Sequence, residues 1–188
     1  MKKGKVVILS GVSSIGKDAI KELLMNDPVL NLMDIVSLTT RPKRDTEKDG
    51  QDYYFVDHKS FADAVLNHKM LEYTEFNGYY YGTPSEHVEF LTSMGKNVLI
   101  SVEAQGVGQI RIKHPDNEAF FLVPTNFEDF EKQIYARYEE DIASAQLRVN
   151  KAKTEMELAG IFGTCVPLTT QQEAYEKIRT DLLKVLNK

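Results

Sequence analysis

KVVILSGVSSIGKDAI, residues 5–20, runs from an apolar stretch through a glycine-bounded turn into a helical pattern. Val6, Val7, Ile8 and Leu9 show no polar alternation, as expected of a strand buried on both faces in a parallel sheet. From Asp18 to Met25 the period becomes helical, with Ile20, Leu23 and Leu24 on one face. The turn between them, Gly11 through Ser13, Ser14 and Ile15 to Gly16 and Lys17, fits G-x-x-x-x-G-K-[ST] up to its last position. There Asp18 replaces the hydroxyl residue that binds Mg²⁺ in that pattern. Strand, turn and helix start together aim backbone N–H groups and the positive helix end at an anion, with Lys17 reaching the terminal phosphates. Out of context, the same turn is an ordinary βα connection that needs its glycines for backbone freedom. Asp18 reads two ways: an oxygen ligand for Mg²⁺ beside a triphosphate, or a first-turn acid favoured by the helix dipole.

The bulk properties narrow the partners. A chain of 188 residues with 42% hydrophobic and 27% charged residues predicts one globular domain with a sizeable core. A net charge of -5 gives no electrostatic basis for binding nucleic acid or an anionic membrane, so any phosphate site must concentrate positive charge locally. One cysteine, Cys165, excludes an internal disulfide and a cysteine-rich metal site, and is expected to be a small core residue. The four histidines are scattered without metal-ligand spacing. No apolar run approaches a membrane span, and VVIL is too short for a signal peptide, so the expected location is cytoplasmic.

Further along, DIVSL (34–38), NVLISV (97–102) and AFFLV (119–123) read as three more buried strands. TPSE (83–86) places Thr83 as the N-cap of a helix, NFED (126–129) starts another, and TQQE (170–173) forms a capping box before a helix carrying Ile178, Leu182, Leu183 and Leu186. The alternation predicts an α/β fold around a parallel sheet. Residues 37–95 differ: polar turns, aromatic strands and an Asn77-Gly78 hairpin signal suggest a small β insertion.

SLTTRPKRDTEKDGQDYYFV (37–56) resembles the GMP-binding signature of guanylate kinases, T-T-R-x-x-R-x-x-E-x-x-G-x-D-Y-x-F. LEYTEFNGYYYGT (71–83) resembles that family's second GMP segment, and VEAQG (102–106) its I-D-x-Q-G. The resemblance implies a P-loop three-layer α/β/α core, divided among residues 1–36, 96–125 and 151–188, with a GMP-binding region at 37–95 and a helical lid at 126–150. It also implies ATP as phosphoryl donor, Mg²⁺ as cofactor and GMP as acceptor.

By the same resemblance, Ser37, Glu72, Thr83 and Glu103 read guanine, beside Gly82. Arg41, Arg44, Glu47, Tyr53 and Tyr81 surround the acceptor phosphate, and Arg137 and Arg148 close over the transferred group. The chemistry suits these roles. Two arginines three apart can clamp a phosphate, and a carboxylate can accept from the N1 and N2 donors of guanine where adenine offers no such edge. The family's usual pattern is broken at Asp18, at Ser101 where an acid is usual, at Gln133 where an arginine is usual, at Tyr138 where a glycine is usual, and at LTTQ (168–171). These departures fall on the ATP and metal side. They leave open a second reading, a guanylate-kinase-like binding module with weak or no activity, and a third, a kinase for another nucleoside monophosphate.

Overall fold

The computed structural model describes residues 3–186. Its core is a five-stranded, all-parallel sheet in the order β2-β7-β1-β8-β9, built from Met33–Asp34, Val98–Ser101, Val6–Gly11, Glu118–Pro124 and Thr164–Leu168. All six residues of the central strand β1 are buried. Alternation along it divides the core: Val7 and Leu9 point into one apolar layer, Val6 and Ile8 into the other. The first layer is completed by α1 (Lys17–Met25), α5 (Phe127–Arg137), α6 (Ile142–Glu157) and α8 (Gln171–Leu186). The second is completed by α3 (Ser85–Ser93) and α4 (Ala104–Lys113). The result is the expected three-layer α/β/α architecture. Each fully buried Leu, Ile or Phe contributes about 1.5–3 kcal/mol to it.

A second sheet, β4-β3-β6-β5, is made of Tyr54–Phe55, Leu38–Thr39, Tyr79–Pro84 and Met70–Phe76, and fills the region read as a β insertion. Asn77-Gly78 closes its β5–β6 hairpin. Helix α2 (His58–Leu66) leads into the hairpin, capped by the Asp57 carboxylate. The outer strand β5 is fastened to α4. Gln109 accepts from the Tyr73 N–H and donates to the Tyr73 carbonyl, as a neighbouring strand would, and Thr74 donates to Gln105.

Three expectations require correction. DIVSL is not one strand. The chain leaves the core sheet after Asp34, whose carboxylate accepts the Ile35 N–H, and enters the second sheet only at Leu38. Thr83 caps no helix: it lies within β6, Pro84 occupies the N-cap position, and the Thr83 hydroxyl donates to Glu72 instead. Cys165 is exposed rather than buried, because β9 is an edge strand that buries only Val166.

The remaining cap expectations hold. Asn126 accepts from the Asp129 N–H, and Thr170 from the Glu173 N–H. The Glu173 carboxylate, however, takes the Thr169 hydroxyl rather than returning to the Thr170 backbone. Helix α8 is anchored by buried Asp27, which accepts from Tyr175, Arg179 and the N–H groups of Val29 and Leu30. Burial alone would raise the Asp27 carboxyl, but these four donors hold it at about 2.

Candidate active site

The turn after β1 is shaped by two constraints. Gly16 takes the left-handed conformation (φ 88°), open to glycine without strain, and starts α1 directly behind it. Glu155 of α6 reaches under the turn and accepts the Ser13 N–H at 2.6 Å. The Ile15 N–H is committed to the Val12 carbonyl. Among the described residues, the N–H groups of Ser14, Gly16 and Lys17 therefore remain for an anion, together with the next N–H groups of the first helical turn.

One cleft joins this loop to the second sheet. It is lined by Ser14, Ile15, Gly16, Lys17 and Asp18 on one side and by Ser37, Glu72, Tyr81 and Gly82 on the other, with Ser101, Glu103 and Arg137 between them. A recess bounded by Arg41, Arg44, Glu47 and Asp52 adjoins it, sharing Asp18, Tyr53 and Tyr81 as a common wall. Of the residues expected in the phosphate loop, Gly11 and Ser13 lie behind the lining. Gly11 leaves no room for a side chain, because an added Cβ would sit 2.8 Å from that of Leu122.

At the closed end of the cleft, Glu72 is 3% exposed. Its Oε1 accepts the Thr83 hydroxyl at 2.7 Å, and Ser37 Oγ lies 3.4 Å from Thr83 Oγ1. Burial pushes its carboxyl up to about 7, opposed by the bonds from Thr83 and reinforced by the negative charge of Glu103. Gly106 of α4 permits this packing, since a Cβ there would come within 2.5 Å of Glu72 Oε2. A buried carboxylate flanked by two hydroxyls suits a ligand edge with adjacent N–H donors and a carbonyl acceptor.

Glu103 is differently placed. One oxygen holds Lys17 Nζ and the other Lys151 Nζ, each at 2.8 Å. Burial would raise its carboxyl, but the two ammonium groups bring it down to about 2. Glu103 thus lies in the cleft as expected, yet engaged with cations.

In the recess, Arg41 makes a two-pronged bond to Glu47 (2.9 and 2.7 Å) and lies 5.6 Å from the Tyr53 ring centroid and 5.7 Å from that of Phe55. Arg44 is largely exposed, with Nη1 3.9 Å from Glu47. Burial and the negative charge of Asp18 lift the Tyr53 phenol to about 12, so it stays a donor.

The two lid arginines differ. Arg137 reaches the Ser14 carbonyl at 3.3 Å and lines the cleft. Arg148 does not line it: its guanidinium lies 4.9 Å from the Phe76 centroid and 4.5 Å from that of Tyr138, the residue standing where a glycine was expected. Gln133 is exposed on α5, outside the cleft. Lys151 was not read from the sequence. Its only sequence signal is its place one helical turn after Arg148 and one before Glu155.

For a divalent cation, the usable donor is Asp18. It is exposed, borders both cleft and recess, and has no hydrogen bond or ion pair among the described residues, whereas Glu72 and Glu103 are already engaged. Mg²⁺ usually takes one or two carboxylates and completes its shell with phosphate oxygens and water, which this single unpaired carboxylate fits.

A glycine-bounded turn carrying Lys17 thus faces an arginine-lined recess across a cleft that also holds buried Glu72, the layout of a P-loop α/β protein. The guanylate kinase family model matches residues 3–185, and the chain belongs to the guanylate kinase family. It is 37% identical over 183 residues to a guanylate kinase of Mycoplasma mycoides subsp. mycoides, an alignment covering 97% of this chain and 61% of that relative. It is 34% identical over 177 residues to a guanylate kinase of Listeria innocua, covering 94% of this chain and 86% of that one. Its fold matches the crystal structure of guanylate kinase from Anaplasma phagocytophilum with a TM-score of 0.79 at 23% identity, over 100% of this chain and 89% of that chain. No helix among the described residues is long and apolar enough to cross a membrane.

Proposed function

We propose that the chain is a working guanylate kinase, converting ATP and GMP to ADP and GDP with Mg²⁺ in the cytoplasm. The observation that carries this reading is the single cleft shared by Lys17 and buried Glu72, with the arginine recess opening off it. Lys17 and the free N–H groups of the turn hold the donor β- and γ-phosphates. Glu72, Thr83, Ser37 and Glu103 read guanine, and Arg41, Arg44, Tyr53 and Tyr81 hold the acceptor phosphate. An oxygen of that phosphate attacks the γ-phosphorus in line, the bond to the bridging oxygen of ADP breaks, and no covalent enzyme intermediate forms. Arg137 faces the transferred group and stabilises its spreading charge. Closure of the acceptor region (37–95) and the lid (126–150) over the bound pair would exclude water and limit ATP hydrolysis. The binding-module reading is not favoured, because relatives matched over nearly the whole chain are named guanylate kinases.

Asp18 would hold Mg²⁺, which supplies neutralisation of phosphate charge. A coupled assay of ATP, GMP and Mg²⁺ is expected to yield GDP, and no product would reject the reading. Asp18→Ala is expected to raise the Mg²⁺ concentration for half-maximal rate about tenfold, and to weaken ADP binding in Mg²⁺ but not in EDTA by calorimetry. An unchanged Mg²⁺ requirement would remove Asp18 from the metal site.

A further inference from the structure

We propose that Lys151 is a second phosphate-binding lysine of this cleft, supplying on α6 the positive charge that the lid lacks at Gln133. The inference rests on the donor-site reading above and goes beyond it in assigning a residue outside the family pattern.

Lys151 is held by three neighbours. Its Nζ lies 2.8 Å from Glu103 Oε2, 3.8 Å from Glu155 Oε1 and 4.4 Å from the Phe76 ring centroid. Both carboxylates also touch the phosphate loop. Glu103 holds Lys17 through its other oxygen, and the other oxygen of Glu155 takes the Ser13 N–H. The Lys151 ammonium therefore stands beside the loop, next to its lysine on one side and its backbone support on the other. Phe76 lines the cleft, and Lys151 stands directly behind that lining.

Around it, two ammonium groups (Lys17, Lys151) meet two carboxylates (Glu103, Glu155). Glu103 is shared by two ammonium groups, leaving one positive charge in excess at that carboxylate. Glu155, the remaining acid in reach, is 6% exposed, accepts the Ser13 N–H and lies 3.8 Å from Lys151. The other cations of the lid do not supply this charge at the same place. Arg148 lies between two rings, Gln133 is neutral and outside, and Arg137 reaches the loop at Ser14. Glu103 is also the group expected to turn towards the guanine amino edge. Once it does, both lysines lose that partner and can turn to the donor's phosphate chain, with Glu155 still 3.8 Å from Lys151.

The competing role is a strut that merely joins α6 to the loop. Lys151→Gln removes the charge and leaves Glu103 its bond to Lys17, and Lys151→Met is a second neutral form of similar length. Both are measured beside Lys151→Arg, which keeps the charge. For the neutral variants, calorimetry with Mg²⁺-ATP is expected to show about tenfold weaker binding, and kcat a fall of about tenfold, with GMP affinity within about threefold of wild type. Lys151→Arg is expected to recover both to within about threefold. Wild-type ATP affinity and kcat in both neutral variants would overturn the proposal. So would an equal loss of ATP and GMP binding accompanied by a lower melting temperature, the signature of a strut. ATP titration decides the role of Lys151 even if the wild-type chain formed no GDP, so failure of this inference and failure of the proposed activity remain distinguishable.

Discussion

Lys17→Ala is expected to lower kcat/KM for ATP by about three orders of magnitude, roughly 4 kcal/mol of transition-state stabilisation, while GMP affinity changes less than about threefold. The asymmetry follows from where the lysine stands. Lys17 is the first residue of α1, directly after Gly16, and its side chain is only 14% exposed, directed into the cleft. The acceptor phosphate would meet Arg41, Arg44, Tyr53 and Tyr81 in the adjoining recess, none of which bonds to Lys17. The fold should survive the change, because Glu103 keeps Lys151 and the loop keeps its bond to Glu155. Lys17→Arg should recover little, since a planar guanidinium cannot take the place of a compact ammonium beside two phosphates. Steady-state kinetics with calorimetric GMP binding checks this. An intact rate in Lys17→Ala, or a parallel loss of GMP binding, would displace Lys17 from the donor site.

The central strand, the loop and α1 were legible because their signals are local. A strand buried on both faces has to be continuously apolar, and a tight turn into a helix start needs its glycine. The Asn77-Gly78 hairpin and the caps at Asn126 and Thr170 were legible for the same reason. What misled was local chemistry overruled from a distance. T-P-S-E satisfies the cap pattern, yet the Thr83 hydroxyl is taken by Glu72, which lies eleven residues earlier on the paired strand. DIVSL is apolar enough for one strand, but where the chain crosses between sheets is decided by tertiary path, and Ser37 is exposed to the cleft at that crossing. Cys165 is a small residue in a strand of good β pattern, and only the edge position of β9 makes it exposed. Lys151 lay in a charged helix where solvated lysines are ordinary, and its partner Glu103 is 48 residues away in sequence. Most of the site residues named from the resemblance line one cleft and its recess, while Gly11, Ser13, Thr83 and Arg148 do not, and the pairing among them (Lys17 with Glu103, Arg41 with Glu47, Arg148 with two rings) is a property of packing that spacing alone does not encode.

Glu72→Gln is expected to weaken GMP binding by about two to three orders of magnitude while leaving the fold as stable as the wild type, or more stable, at pH 8. The carboxyl is 3% exposed and titrates at about 7 in the folded chain, against an ordinary value of 4.5. A raised carboxyl means the folded state holds the proton more tightly than the unfolded one. Its contribution to stability, about 3 kcal/mol, is therefore fully present below pH 4.5 and is lost as the pH rises through about 7. Glutamine imitates the protonated form at every pH, so the variant should lack this dependence and gain relative stability above pH 7. Binding runs the opposite way. The N1 and N2 donors of guanine require the ionised form, so below about pH 7 the protein must first release a proton, and GMP affinity should fall about fivefold from pH 7 to pH 6. The phosphate of GMP titrates in the same range, which makes the variant the necessary control. Subtracting the Glu72→Gln profile from the wild-type profile isolates the carboxyl. Calorimetric titration of GMP between pH 5.5 and 8, with thermal melts at each pH, tests both halves. If wild type and variant bind GMP with parallel pH profiles, Glu72 does not read the base. If their stabilities also run parallel across that range, the burial of an ionisable carboxyl at the end of the cleft is not what sets its proton affinity.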